Sequence, residues 1–227
     1  MRWPALGRAL REGRRILWDI LYPEGAVCSG CGKISGGECL CPACREQLYY
    51  SDVLESWETR DLGGVTAWSI RPHRALARKL VLRLKYGAEA CAAAELAGML
   101  KTRPESFPVF SPDTVVTWVP MPGNRLRERG VDHGRLLAEA VAGELGLSSE
   151  ELLFRRGNDR PQASLNRTKR EQNLQKAFAP RHKIGTPVLL VDDVLTTGTT
   201  AQRCLAALRE GGAQEITVLT MTRAAGR

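Results

Sequence analysis

The segment "VLLVDDVLTTGTT", Val188 to Thr200, concentrates more potential chemistry than any other stretch of the chain. An apolar run with the character of a buried strand ends in two adjacent carboxylates, Asp192 and Asp193. Four threonines around Gly198 follow. Like charges side by side disfavour each other's ionisation, so the pair is costly unless a ligand or an ion uses it. Three readings compete. Acidic residues at a strand end hold magnesium in nucleotide triphosphatases, but that chemistry needs a G-x-x-x-x-G-K-[ST] loop, which the chain lacks. A plain turn explains one aspartate, not two followed by threonines. A 5′-phosphate cradle uses every element. Gly198 permits a tight turn, and the Thr hydroxyls and helix-start amides converge on a phosphate. The carboxylates then accept from the 2′- and 3′-hydroxyls of a ribose, and a magnesium ion held by the ligand relieves their repulsion.

A second constellation lies near the N-terminus. Cys28-x2-Cys31 and Cys41-x2-Cys44 form two CxxC pairs, a tetrathiolate suited to tetrahedral zinc, with knuckle amides able to donate to the sulfurs. Free cysteines in a loop are the plainer alternative. Four thiolates close the coordination sphere, which favours a structural over a catalytic ion. Cys39 sits too close to Cys41 for both to ligate one tetrahedron easily and is taken as a spare. Cys91 and Cys204 lie alone in helical patterns and read as small buried hydrophobes. Clustered cysteines without a secretion signal argue for metal binding in a reducing cytoplasm rather than for disulfides.

These groups are positioned by a chain of 227 residues, 43% hydrophobic, enough for one main domain with a small appendage. No apolar run approaches the roughly 20 residues that span a bilayer. The basic N-terminus reads as an amphipathic helix over residues 1–24, its apolar stretch broken by Asp19. The finger is placed at 25–50 and the main domain at 51–227. A net charge of +8 favours anionic partners, either nucleic acid or a phosphorylated small molecule. Strands are expected at Val65–Pro72, in "DTVVTWVPMP", at "PVLLVDD" and at "EITVLTMTR". Helices are expected in "RALARKLVLRLKYG", "EACAAAELAGMLKTR" and "TTAQRCLAALREGGA", with one long helix from Arg125 to Leu145. "ELLFRR" is a short apolar run, and the polar stretch that follows has no core face and reads as a loop closing into a short helix. Apolar strands alternating with helices imply an α/β domain with a mainly parallel sheet, whose ligands bind at the carboxyl ends of the strands. Asp192 and Asp193 lie at such an end.

With these residues in view, the chain resembles the type I phosphoribosyltransferases, whose motif for 5-phosphoribosyl 1-diphosphate (PRPP) looks like "VLLVDDVLTTGTT". Over nearly its whole length it is similar to the ComF/GntX-like, competence-associated branch. The matching pieces are the "LYP…CxxC…CxxC" finger at Leu21–Cys44, "LKYG" ending at Gly87, "VPMPGNRLRERG" at Val119–Gly130, and "QASLNRTKREQNLQKAF" at Gln162–Phe178. The resemblance implies the phosphoribosyltransferase fold with a hood over about 155–180, a structural Zn2+, and Mg2+ bound with PRPP or a related ribose 5-phosphate. It implies transfer of a phosphoribosyl group to an unidentified acceptor. The alternative is a non-catalytic, PRPP-responsive protein handling single-stranded DNA beside the competence helicase machinery. Asp192 and Asp193 would be the catalytic pair. PRPP contacts would come from these two with Leu195, Thr196, Thr197, Gly198, Thr199 and Thr200, from the Pro120–Asn124 pyrophosphate loop including Met121, and from Arg125, Arg129 and Lys85. Hood residues Gln162, Arg167, Lys169 and Arg170 would close over the site. The family's Asn-Gln is replaced here by Asp132-His133, the only candidate bases near the right place. Relatives often pair, so a homodimer is an expectation.

Overall fold

The computed structural model describes residues 26–50, 57–87, 89–156 and 177–224. The expected N-terminal helix and the four named hood residues lie outside the described residues. After the cysteine turns comes helix α1 (Pro42–Tyr50), then strands β1 (Glu58–Asp61) and β2 (Thr66–Pro72). Helices α2 (Ala75–Gly87) and α3 (Ala90–Gly98) follow, the latter running into a 3-10 turn at Met99–Thr102. Next are β3 (Val115–Trp118), α4 (Gly123–Arg129), α5 (His133–Leu145), β4 (Ser148–Ser149) and β5 (Leu153–Arg155). The chain closes through β6 (Phe178–Pro180), β7 (Val188–Leu195), α6 (Thr199–Glu210) and β8 (Ile216–Arg223).

Six strands form one sheet in the order β1-β2-β8-β7-β3-β4, parallel except for β1. Both faces are covered, as parallel sheets require. On one face α2, α3 and α5 pack over Leu189, Val191, Leu219 and Met221, and the cysteine segment joins this core through Leu40, Leu48 and Tyr49. On the other face α6 buries Ala201, Cys204, Leu205 and Leu208 over Leu190 and Val218, with the β5–β6 ribbon alongside. The spacing of those α6 residues is that of one helical stripe. A fully buried leucine such as Leu189 or Leu190 contributes about 2 kcal/mol. The finger therefore does fold partly by burial, contrary to its turn-rich composition.

Two further expectations are corrected. The single helix from Arg125 to Leu145 is two. Gly130, at φ 76°, ends α4 in the left-handed region, and the Asp132 carboxylate restarts the chain as α5 by accepting from the amides of Gly134 and Arg135. Also, Phe178–Pro180 is a strand paired antiparallel with β5 rather than part of a loop or helix, because Phe178 and Ala179 have an apolar face to bury.

The finger is fastened to the domain by polar contacts. Arg45 and Tyr49 both bind the buried carboxylate of Glu95 on α3, with Arg45 Nη2 at 2.5 Å and the Tyr49 hydroxyl at 2.9 Å. Arg71 on β2, itself buried, donates to the carbonyls of Leu48 and Tyr49 at the end of α1, where a cation also suits the helix dipole. Cys39 is not a spare, nor is Cys91 only a packing residue: the two form a disulfide between the finger and α3. That corrects the expectation of metal binding rather than disulfides, as far as these two cysteines are concerned. Cys204 is free and buried in α6 as expected.

Candidate functional site

β7 delivers Asp192 and Asp193 to the carboxyl edge of the sheet, and strand alternation resolves their apparent conflict. Leu189 and Val191 belong to the α2/α3/α5 face, so Asp193 follows them there. Asp192 continues the row of Val188 and Leu190 on the α6 face. Asp193 Oδ1 meets Lys85 Nζ at 2.8 Å, and its Oδ2 meets His133 Nε2 at 3.1 Å. Burial raises the Asp193 carboxyl, but the His133 hydrogen bond and the Lys85 charge outweigh it and hold the group below the usual carboxylate range. Among the described residues no cation contacts Asp192. Its Oδ1 accepts from the amide of Asp193 at 2.9 Å. Burial first, then the charge of Asp193, pushes its carboxyl up from 3.8 to about 7.

This asymmetry gives a testable pH dependence. Between pH about 4 and 7 the unfolded chain has already lost the Asp192 proton that the folded chain keeps, so stability falls as pH rises through that window. Asp193, with its depressed value, acts oppositely and only at lower pH. Asp192→Asn is expected to flatten the decline. The difference between variant and wild type at pH 7 reaches at most about 4 kcal/mol, from about 1.4 kcal/mol for each tenfold change in proton affinity, and denaturant titrations at pH 4.5 and 7.5 measure it.

The second layer around Asp193 was not legible from the motif. His133 Nδ1 faces Arg129 Nη1 at 3.2 Å, and Arg129 also lies over the Tyr86 ring, 5.0 Å from its centroid. An arginine can only donate, so Nδ1 accepts and Nε2 carries the proton toward Asp193. Both ring nitrogens are thereby engaged, and His133 links Arg129 to Asp193 rather than standing ready as a base. Asp132 is likewise occupied, capping α5 and accepting from Trp118 Nε1 at 3.2 Å. Thr222 on β8 donates to the Asp193 carbonyl at 3.0 Å and meets His73 Nδ1 at 2.9 Å. Burial, then Lys85 and Arg78, lowers the pKa of His73.

Beyond the aspartates, Leu195 is buried, while Thr196, Thr197, Thr199 and Thr200 are exposed around Gly198. The Thr197 and Thr199 hydroxyls lie 3.0 Å apart, and Thr199 begins α6, whose first amides have no helical acceptor. Gly198 is required twice over. Its φ is 81°, and a Cβ there would sit 2.7 Å from Leu62 Cδ2. Gly198→Ala is expected to cost about 1–2 kcal/mol, read as a lowered thermal midpoint; an unchanged midpoint would count against this loop geometry. Across the edge, Pro120 is buried and Met121 half-buried in the turn after β3, and the exposed Arg125 side chain follows at the start of α4. Arg129 is thus linked to Asp193 through His133 and Lys85 meets Asp193 directly, whereas no contact joins Arg125 to them among the described residues.

The cysteine cluster fits a metal. The four Sγ atoms of Cys28, Cys31, Cys41 and Cys44 lie within 4.8 Å of one another. The Cys31–Cys41 separation of 3.8 Å matches the edge expected for a zinc tetrahedron with bonds of about 2.3 Å. Amides of Gly30 and Cys41 donate to Cys28 Sγ at 3.3 Å, the expected knuckle geometry. Burial raises the Cys28 thiol, but amides at Cys31, Cys41 and Gly30 and the Cys44 thiol bring it down to about 6. Burial and the neighbouring sulfurs push Cys44 up to about 12.

The topology places a Thr/Gly loop between a strand carrying paired aspartates and a helix, and residues 132–227 match the family described as phosphoribosyl transferase domain. That stretch is similar to phosphoribosyl transferase domains. Across 216 residues it is 26% identical to Competence protein F of Haemophilus influenzae, covering 91% of this chain and 94% of that protein. Among solved structures, a glutamine PRPP amidotransferase from B. subtilis is 20% identical with a TM-score of 0.38 over 78% of this chain. The chain spans only 30% of that longer enzyme. Adenine phosphoribosyltransferase from Leishmania tarentolae is 15% identical with a TM-score of 0.39, covering 74% of this chain and 94% of its own. The domain's sheet, aspartate pair and threonine loop all fall within the described residues. No helix among those residues is long and apolar enough to cross a membrane.

Proposed function

We propose that the chain binds PRPP with Mg2+ in the cytoplasm and transfers its phosphoribosyl group to an acceptor, releasing pyrophosphate, with a structural Zn2+ in the cysteine cluster. The observation that carries this reading is the division of labour at the tip of β7. Asp193 is paired with Lys85 and accepts from His133, while among the described residues no cation contacts Asp192 beside the exposed threonine loop. A sugar bearing hydroxyls and a phosphate suits that pairing. The threonine hydroxyls and α6 amides would hold the 5′-phosphate, and Asp192, with Asp193 behind it, would accept from the ribose hydroxyls.

Lys85, Arg129, Arg125 and the amides of the turn after Val119 form the cationic side of the site, suited to the diphosphate. Beside the threonine loop the described residues offer few spare anionic oxygens for a resident ion, so magnesium fits as an ion delivered with the donor. When bound, it neutralises charge on the leaving diphosphate. The C1–O bond to diphosphate breaks, the electron pair leaves with the diphosphate, and the cations on this side stabilise it. With Asp132 and His133 both engaged, the acceptor's proton leaves to the diphosphate or to water.

Pyrophosphate release from Mg-PRPP in the presence of an acceptor panel tests turnover; none above the blank would reduce the chain to a binder. A second reading, single-stranded nucleic acid handling, draws on the similarity to Competence protein F, the +8 charge, and the exposed Tyr86 beside Arg129. Its signature would be an affinity for single-stranded DNA that falls steeply with salt.

A further inference from the structure

β7 changes face between the aspartates and the threonine loop. Asp193 points, like Leu189 and Val191, to the side of α2 and α5, where Lys85 and His133 meet it. Alternation should then send Val194 to the α6 side. Instead Val194 packs against the α2/α3/α5 core, and Leu195 against the α6 core. The register with β8 passes over Asp193 at the same point, pairing Asp192 with Thr220 and Val194 with Thr222. At this break the Asp193 carbonyl accepts from a side chain, the Thr222 hydroxyl, at 3.0 Å. That carbonyl lies in the planar peptide between Asp193 and Val194, so its direction sets how the strand enters the loop.

Thr222 is itself oriented. It is fully buried, and its one proton is committed to the Asp193 carbonyl, which can only accept. His73 Nδ1, 2.9 Å from Thr222 Oγ1, is therefore the donor in that contact. The ladder places His73: it follows Pro72, the last residue of β2, and its amide donates to the Arg223 carbonyl at 2.6 Å. The turn that holds it is tight. The Arg74 amide donates to the Pro72 carbonyl, and Ala75 has φ 45°, a left-handed backbone that a residue with a Cβ keeps only where its surroundings enforce it. Burial, then Lys85 and Arg78, disfavours a second proton on the His73 ring against the opposing pull of Asp193. Nε2 is left bare.

We propose that His73 is a positioning residue for the ribose-phosphate donor: its Nδ1–H orients the Thr222 hydroxyl, which fixes the Asp193 carbonyl and with it the passage from the aspartates to the threonine loop. This rests on PRPP being the donor. His73 acts through two hydrogen bonds in series rather than on the ligand.

The ring state is read on the tag-free chain labelled with 15N-histidine, whose three imidazoles are those of His73, His133 and His182. Long-range 1H–15N correlation at pH 7.5 is expected to show His73 protonated at Nδ1 and bare at Nε2, the reverse of His133. The His73 signals are those missing from the His73→Asn spectrum. A proton on His73 Nε2, with or without one on Nδ1, would overturn the relay.

Mg-PRPP affinity is then measured by calorimetry for wild type, His73→Asn, His73→Phe and Thr222→Val. Asparagine offers an amide N–H where Nδ1 stood but loses the ring, whereas phenylalanine keeps a ring and loses the donor. A role in packing alone would favour His73→Phe, so the two substitutions separate the explanations. His73→Asn is expected to bind within about twofold of wild type, and His73→Phe and Thr222→Val about 3- to 10-fold more weakly, the loss of one hydrogen bond. The double variant His73→Phe/Thr222→Val should bind no more weakly than either single one, because both break the same chain. His73→Phe at wild-type affinity, His73→Asn as weak as His73→Phe, or additive losses in the double variant would overturn the positioning role. No heat from wild type with Mg-PRPP would instead overturn the donor reading and this inference with it, even with the His73 ring in the expected state.

Discussion

Cys28→Ser is expected to release zinc and to unfold the segment from Ala26 to Tyr50. A tetrathiolate site contributes about 10–16 kcal/mol of metal-dependent folding energy, and Cys28 is the sulfur on which two knuckle amides converge. The damage should not stay local. Leu40, Leu48 and Tyr49 are part of the core formed by α2, α3 and α5. Loss of α1 would also leave Arg71 without the Leu48 and Tyr49 carbonyls, and Glu95 without Arg45 and Tyr49. A buried charge that loses partners is costly. Metal analysis should therefore give about one zinc per wild-type chain and none in the variant, with a large fall in the thermal midpoint. A wild-type protein that keeps its midpoint after exhaustive chelation would contradict the staple.

Asp193→Ala is the second large effect, and it acts on stability as well as on ligand binding. Asp193 is 8% exposed; one of its oxygens neutralises Lys85 and the other accepts from His133, side chains that are 24% and 16% exposed. Removing one member of a buried pair costs about 3–5 kcal/mol, because the charge left behind has no counterion. The lower end is expected here, since Lys85 retains some solvent. A double variant, Asp193→Ala with Lys85→Met, removes the stranded cation and should recover part of the loss. Urea denaturation of the wild type, both single variants and the double variant reads the coupling. A loss below about 1 kcal/mol with no recovery would mean that the contact is only a surface ion pair.

The motif, the strand that carries it and the cysteine cluster were legible because each is local. "PVLLVDD" carries its own strand signal, Gly198 its own turn, and four cysteines their own spacing. What escaped depends on distance in sequence or on competing local signals. Gly130 stands between two stretches of helix-forming residues, and only its left-handed backbone together with the Asp132 cap divides α4 from α5. Cys91, among alanines on a helix, looked like a packing residue until the fold brought it to Cys39. The Lys85–Asp193–His133 contact joins three separate elements, and no pattern within any one of them announces it. Asp132 and His133 stood out in the sequence as an unusual pair, but their tasks, a helix cap and a link from Arg129 to Asp193, required coordinates.

The most direct test of the central claim is calorimetric titration of Mg-PRPP into the wild-type chain and into Asp192→Ala/Asp193→Ala, side by side. The expected result is a saturable heat for the wild type that is absent from the double variant, with the variant's residual fold checked by circular dichroism. Equal heats from the two proteins, or no heat from either, would contradict the assignment of the two aspartates and the threonine loop to a ribose-phosphate donor.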